Sequence, residues 1–311
     1  MMFSDSSVHG ASVMAAAIGG NGTGSAFGTF GELLQGMTSK DRRDFLVTLP
    51  IDRGATATFN LDRNSDGITV LPRHKAKAQR LVRLMLDAYR WPGGGTLHLR
   101  GDLPEGKGLA SSSADLVATA RAVGAALGVP VEAETIERFL RGIEPTDGVM
   151  YPEVTAFYHR EVRLREVLGP LPPLVIVGVE EGGVVDTVEF NRQSKRFSEA
   201  DCAEYDRLLE RISRAIRDGD VTTIGEVATA SALMNEKLRP KRLLHQMIDV
   251  SRECGGLGVS IAHSGTFLGV LVAESDPECA RKVQAIMDMA KTLADDVTVF
   301  RSFRSPAPLP L

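Results

Sequence analysis

The chain is poor in the residues that would assign it to several large protein classes. Of its 311 residues only three are cysteine, Cys202, Cys254 and Cys279. They are widely spaced and lack a CxxC pair, which argues against a metal ribbon, a redox motif or a disulfide-stapled fold and favours a reducing cytoplasm. The six histidines show neither HxH nor HExxH spacing, which argues against a zinc enzyme. Excess charge of one sign is missing too: 36 Lys and Arg face 40 Asp and Glu, for a net charge of -4. No global field draws polyanions, so nucleic acid is not the expected partner. The longest apolar run near the N-terminus, residues 11–18, is too short to span a bilayer and has no basic residues ahead of it, so no membrane partner is expected either. No repeat of 20–50 residues is present.

A composition of 43% hydrophobic and 24% charged residues over this length supports two lobes with separate cores. The glycine-rich stretch 19–25 predicts a flexible leader over 1–25, with the folded body starting near Ala26. Short β-prone segments at 45–49, 55–59 and 68–71 predict an antiparallel meander. From 75 to 89 the apolar residues Ala78, Leu81, Val82, Met85, Leu86 and Tyr89 recur at three- and four-residue steps, as on one buried helical stripe. A strand at 96–100, a Gly- and Ser-rich loop at 101–113 and a helix at 114–127 follow, the helix ended by Gly128 and Pro130.

The second half opens with the apolar run 174–179, read as a buried strand, then helices after the Ser198-x-x-Asp201 cap and after Asp220. Its last third reads helix 242–253, strands 257–262 and 267–273, helix 277–293 and strand 296–301. That order suits a small sheet backed by helices, giving an α+β chain with lobes at 26–170 and 171–305 and a tail at 306–311.

The chemistry concentrates in Pro104-Glu105-Gly106-Lys107-Gly108-Leu109-Ala110-Ser111-Ser112-Ser113-Ala114-Asp115, which joins a strand to a helix. Backbone N–H groups converging at a helix N-terminus make an anion site, and the glycines let backbone approach phosphate oxygens. The three hydroxyls add donors, and one of them could bind Mg²⁺ through its oxygen. The string has neither the Walker A spacing nor the third glycine of GxGxxG. A bland alternative is a serine-rich helix cap.

This string resembles the phosphate loop of the GHMP kinases, PxxxGLxSS(S/A)A. Gly31-Glu32-Leu33-Leu34-Gln35-Gly36 resembles that family's N-terminal motif, and residues 258–266, containing His263, Ser264 and Gly265, resemble its C-terminal glycine-rich motif. Within the family, the GELxQG, KGxASSxAD, IEPTD and AHSG blocks are similar to those of the L-threonine kinases of cobalamin side-chain synthesis. In the first block Phe27 and Phe30 stand where those kinases are expected to have Pro and Cys, near the acceptor site.

The resemblance implies the two-domain GHMP fold, an N-terminal mixed sheet with helices and a C-terminal ferredoxin-like sandwich, with ATP and acceptor in the cleft between them. It implies ATP and Mg²⁺ as cofactors, phosphate contacts from Gly106 to Ser113, and Ser113 as a metal ligand. Asp147 is the candidate catalytic carboxylate, because phosphoryl transfer needs a group that accepts or orients the acceptor's proton; alone, such an Asp more often caps a helix. Glu144 is the candidate second metal ligand, with a solvated loop carboxylate as its alternative. Lys107 is placed on the β- or γ-phosphate, as a second catalytic group. Glu32, Gln35, Thr146, His263, Ser264 and Gly265 are assigned to the acceptor. The expected activity is ATP-dependent phosphorylation of a small hydroxylated acceptor, with threonine first, then homoserine, a sugar or a hydroxy acid; a non-catalytic sensor and a homodimer are left open.

Overall fold

The computed structural model describes residues 20–182, 197–263 and 265–304. Its N-terminal half is built from β1 (Asn21–Met37), β2 (Asp44–Asp62), β3 (Ile68–Leu71), α1 (Ala76–Ala88), β4 (Gly94–Gly101), α2 (Ser111–Leu127), α3 (Ala133–Leu140), β5 (Val154–Tyr158) and β6 (Arg163–Gly169). The C-terminal half adds β7 (Leu174–Glu180), α4 (Glu199–Asp218), α5 (Val221–Asn235), α6 (Leu244–Cys254), β8 (Gly258–Ile261), β9 (Phe267–Ala273), α7 (Cys279–Ala290) and β10 (Val297–Arg301).

The four C-terminal strands lie in the order β10-β7-β9-β8, all antiparallel. With helices between β7 and β8 and between β9 and β10, this is the ferredoxin-like arrangement expected. The N-terminal strands continue the same sheet as β1-β2-β4-β3, with β5 and β6 branching from β2. The join is narrow. Glu32 of β1 pairs with Ile261 of β8 on one side and Thr48 of β2 on the other, amid shifts of register. Glu32 thus sits where the two halves meet.

Three expectations need correction. The segments at 45–49 and 55–59 form one strand, β2, because polar turn residues between them are carried within a 19-residue strand paired along β1 and β4. The 68–71 segment pairs parallel to β4, so the meander is not wholly antiparallel. The folded body starts at Asn21 rather than Ala26: Asn21 to Ser25 pair with Asn60 to Thr56. The glycines read there as flexible have another use. A Cβ on Gly22 would overlap the backbone at Ala122 and Ala126, and one on Gly24 the backbone at Ala118 and Ala122, all in α2. The strand can lie on that helix only without side chains. Residues 1–19 and the tail at 306–311 lie outside the described residues.

α2 is buried nearly all round and rich in alanine, as a central helix covered by sheet and neighbouring helices should be. Gly24→Ala is therefore expected to destabilise the fold by about 1–3 kcal/mol, the usual cost of overpacking. Urea unfolding checks this, and an unchanged midpoint would mean that β1 does not dock there. The caps behave as read: Ser198 caps α4 with Asp201 in reciprocal bonds, and Asp220 caps α5 through the Thr223 amide at 3.1 Å. Among the described residues no helix is long and apolar enough to cross a membrane.

Candidate active site

α2 begins at Ser111, three residues before the expected start, so the three serines form its first turn. Its N-cap, Ala110, is left-handed with φ 58°, and no side chain caps the helix. The first amides therefore face outward unfilled, with the positive end of the helix dipole behind them. Leu109 anchors the turn: it is buried, and its carbonyl accepts from Thr29 N at 3.2 Å.

These amides open on a cleft of about 480 Å³. Gly106 and the run from Gly108 to Ser113 line one wall, Glu144 to Asp147 another, and Glu32, His159 and His263 a third. The sequence blocks that are far apart along the chain thus meet in one place.

Asp147 sits on a loop, as Pro145 predicts, and faces the serine turn. Ser113 Oγ lies 3.3 Å from Asp147 Oδ2 and accepts from the Asp147 amide at 3.2 Å. The loop is braced by Arg121 of α2, which donates to the carbonyl of Met150 at 2.9 Å and to that of Ser25 at 2.6 Å. Thr146 is buried, and its amide bonds to the His159 carbonyl at 3.1 Å. Burial pushes the Asp147 carboxyl up to about 6; the Ser113 hydrogen bond opposes that shift and the negative charge of Glu144 adds to it. Such a group is still mostly ionised at neutral pH yet basic enough to take a proton.

Glu144 is held on both oxygens, by Ser112 Oγ and by Lys77 of α1. It is therefore an ordered carboxylate within the cleft rather than a solvated one. The oxygen donors at this end are the Ser112 and Ser113 hydroxyls and the Asp147 and Glu144 carboxylates. An all-oxygen set fits a hard cation such as Mg²⁺.

Lys107 does not line this cleft. Its ammonium pairs with Glu180 at the end of β7, because the loop turns at Gly106 and Gly108, with φ of 72° and 82°, and sends the side chain toward the C-terminal half. Gln35 accepts at Oε1 from His263 Nδ1 in buried surroundings, and His263 packs edge-on against His159 with ring centroids 4.9 Å apart. Gln35 does not itself line the cleft, so it acts behind His263. Gly265 is buried against Lys107 and Gly108, and Ser264 lies outside the described residues. Phe27 and Phe30 do not line the cleft: Phe27 stacks on Phe303 at 4.6 Å, and Phe30 packs among Phe267 and Phe300.

Several cleft residues had no distinguishing signal in the sequence. Lys75 reaches buried Asp115 at 2.5 Å and Glu105 at 2.6 Å. Burial alone would lower the lysine, but these two partners outweigh it and raise it; burial likewise raises Asp115 against the pull of Lys75. His159 follows β5, which the sequence reading did not find. A lysine on a polar helical face and a lone histidine after a short strand look solvated or structural until the fold brings them together.

Residues 76–154 match the family of GHMP kinases N terminal domains. The chain is 27% identical over 254 residues to L-threonine kinase of Salmonella typhimurium, covering 81% of this chain and 83% of that one. It is 28% identical over 247 residues to L-threonine kinase of Citrobacter freundii, covering 78% and 83%. Among solved structures, homoserine kinase from Cytophaga hutchinsonii superposes with a TM-score of 0.73 over 94% of this chain and 97% of that one, at 15% identity. The matched segment and the two relatives are those of small-molecule kinases. The chain resembles the GHMP kinases, in sequence over residues 76–154 and in fold over most of its length.

Proposed function

We propose that this kinase transfers the γ-phosphoryl group of ATP to the hydroxyl of L-threonine or a closely related hydroxy amino acid. The observation that carries the proposal is the pairing of Asp147 with Ser113 at an uncapped helix N-terminus, in a cleft also lined by Glu32, His159 and His263. Similarity to two L-threonine kinases over about four-fifths of the chain supports the choice of acceptor.

In this account the amides of Ser111 to Ser113 and the backbone at Gly106 and Gly108 hold the phosphates, with Leu109 and Ala110 shaping the turn. Ser113 and Glu144 would hold Mg²⁺, which when bound neutralises charge on the triphosphate. Glu32 binds the acceptor's ammonium group, and Thr146 and His263 border the acceptor. Asp147 orients the hydroxyl and takes its proton as the new oxygen–phosphorus bond forms and the bond to the ADP oxygen breaks. Positioning and fixed charge supply most of the rate. The lobe of residues 21–170 carries the phosphate site, and that of 171–305 closes the acceptor side.

A coupled ADP-release assay over L-threonine, L-serine, L-homoserine, D-threonine, 1-amino-2-propanol and galactose checks the acceptor. The expected result is a kcat/KM for L-threonine at least about tenfold above the others, a difference of roughly 1.4 kcal/mol in transition-state binding. A preference for homoserine or galactose would keep the kinase and replace the acceptor.

A further inference from the structure

Behind the cleft, the phosphate loop of the N-terminal half meets the glycine-rich segment of the C-terminal half along a seam. Gly265 lies so close to Lys107 and Gly108 that a Cβ on it would overlap the Lys107 carbonyl. The same carbonyl accepts from Thr266 N at 3.2 Å. Glu180 receives the Lys107 ammonium and also the Thr266 hydroxyl at 3.3 Å. Next to it, Glu181 N donates to the Thr266 carbonyl at 3.1 Å.

One cation closes this network from the C-terminal side. Lys241, in the connection between α5 and α6, has a side chain only 2% exposed. Its ammonium donates to the Gly265 carbonyl and lies 3.7 Å from Glu181 Oε1, while Glu181 Oε2 accepts from Leu243 N at 2.9 Å. Taking an ammonium out of water is costly unless it is paired and hydrogen-bonded, and an apolar residue would fill the space more cheaply. What an apolar residue could not do is hold the Gly265 carbonyl.

We infer that Lys241 is a positioning residue for phosphoryl transfer: by holding the Gly265 carbonyl it fixes Gly265 and Thr266 against Lys107 and Gly108, and so sets the phosphate loop relative to the acceptor side. This rests on the kinase mechanism proposed above. The groups facing the ammonium are Glu181 from the end of β7, Glu32 from β1 and Arg239 from its own connection. Burial lowers it most, Glu181 and Glu32 raise it, Arg239 lowers it, and the balance leaves it at about 8. The clamp is therefore charged at neutral pH, and it loses its charge and its pairing with Glu181 as pH rises through that value.

The test compares the full chain with Lys241→Met, Lys241→Arg and the double variant Lys241→Met/Glu181→Gln, the last leaving no unpaired buried carboxylate if the single change impairs folding. Steady-state rates are measured between about pH 6 and 10, together with hydrogen exchange at the Thr266 amide. In Lys241→Met and the double variant kcat should fall about 10- to 100-fold, the scale of a displacement near 1 Å, with the KM for ATP changed less than about threefold. The wild type should lose kcat above about pH 8, Lys241→Arg should keep most of its rate without that alkaline loss, and Thr266 should exchange at least about tenfold faster without the cation. Unchanged Thr266 exchange, or a double variant with kcat within about twofold of wild type, would overturn the inference. A wild type that phosphorylates no acceptor would instead overturn the kinase mechanism, and the exchange measurement would still decide whether Lys241 holds the seam.

Discussion

Asp147→Asn is expected to lower kcat by roughly 10²–10⁴, the usual scale for loss of a general acid or base, while leaving ATP affinity nearly unchanged. Asparagine keeps the size and the hydrogen bond to Ser113 but has no basicity. In the wild type, kcat/KM should fall as pH drops through about 6, where burial places the Asp147 carboxyl. The same shift has a consequence for stability. Because folding raises this pKa, holding the ionised carboxylate costs the folded state at neutral pH, by at most about 3 kcal/mol. That cost is absent below the pKa of the unfolded chain, grows as pH rises above it and is complete once pH exceeds about 6. Asparagine carries no charge at any pH, so the variant should melt higher than the unliganded wild type at pH 7 and no higher near pH 4. A loss of activity together with lower stability at pH 7 would mean that Asp147 is a structural cap.

Ser113→Ala is expected to cost at least about tenfold in kcat/KM for ATP at limiting Mg²⁺, the scale on which metal sites respond to loss of a supporting group, with the cost shrinking as Mg²⁺ is raised. It should also move the acidic limb of the pH profile. The Ser113 hydrogen bond holds the Asp147 pKa down, so without it the limb should shift above about pH 6. Unchanged use of Mg·ATP at limiting metal, measured by initial rates, would remove Ser113 from the metal site.

How much of this was legible in the sequence depends on how local each feature is. The helix at 75–89, the strand at 174–179 and both capped helices of the C-terminal half could be read because apolar spacing and cap residues act within a few positions. The phosphate loop could be read because a strand, two glycines and three hydroxyls occur in one short string. The start of β1 could not. Gly22 and Gly24 carry the composition of a flexible join, and only contact with α2, some hundred residues away along the chain, gives them a packing role. The continuous β2 and the parallel pairing of β3 were hidden for the same reason, since strand pairing is non-local.

Within the site, position in a motif did not fix where a side chain points. Lys107 lies in the phosphate loop yet turns to Glu180, and Phe30 lies in the first motif yet fills the sheet core. Gly31 takes a left-handed φ of 58° and the pairing register shifts between Thr29 and Glu32, so neighbouring positions of β1 can supply both a core residue such as Phe30 and a cleft residue such as Glu32. Lys241 stood in no motif, and its role depends on a carbonyl and a carboxylate from two separate segments, Gly265 and Glu181.

The most direct measurement follows the phosphoryl group itself. The purified chain is incubated with Mg²⁺, γ-labelled ATP and L-threonine, and the products are separated. The expected result is label in O-phosphothreonine in a one-to-one ratio with ADP, and none when Asp147→Asn is used over the same time. Label appearing only as inorganic phosphate, or no transfer to any hydroxylated acceptor, would contradict the assignment of this cleft to phosphorylation of a hydroxy amino acid.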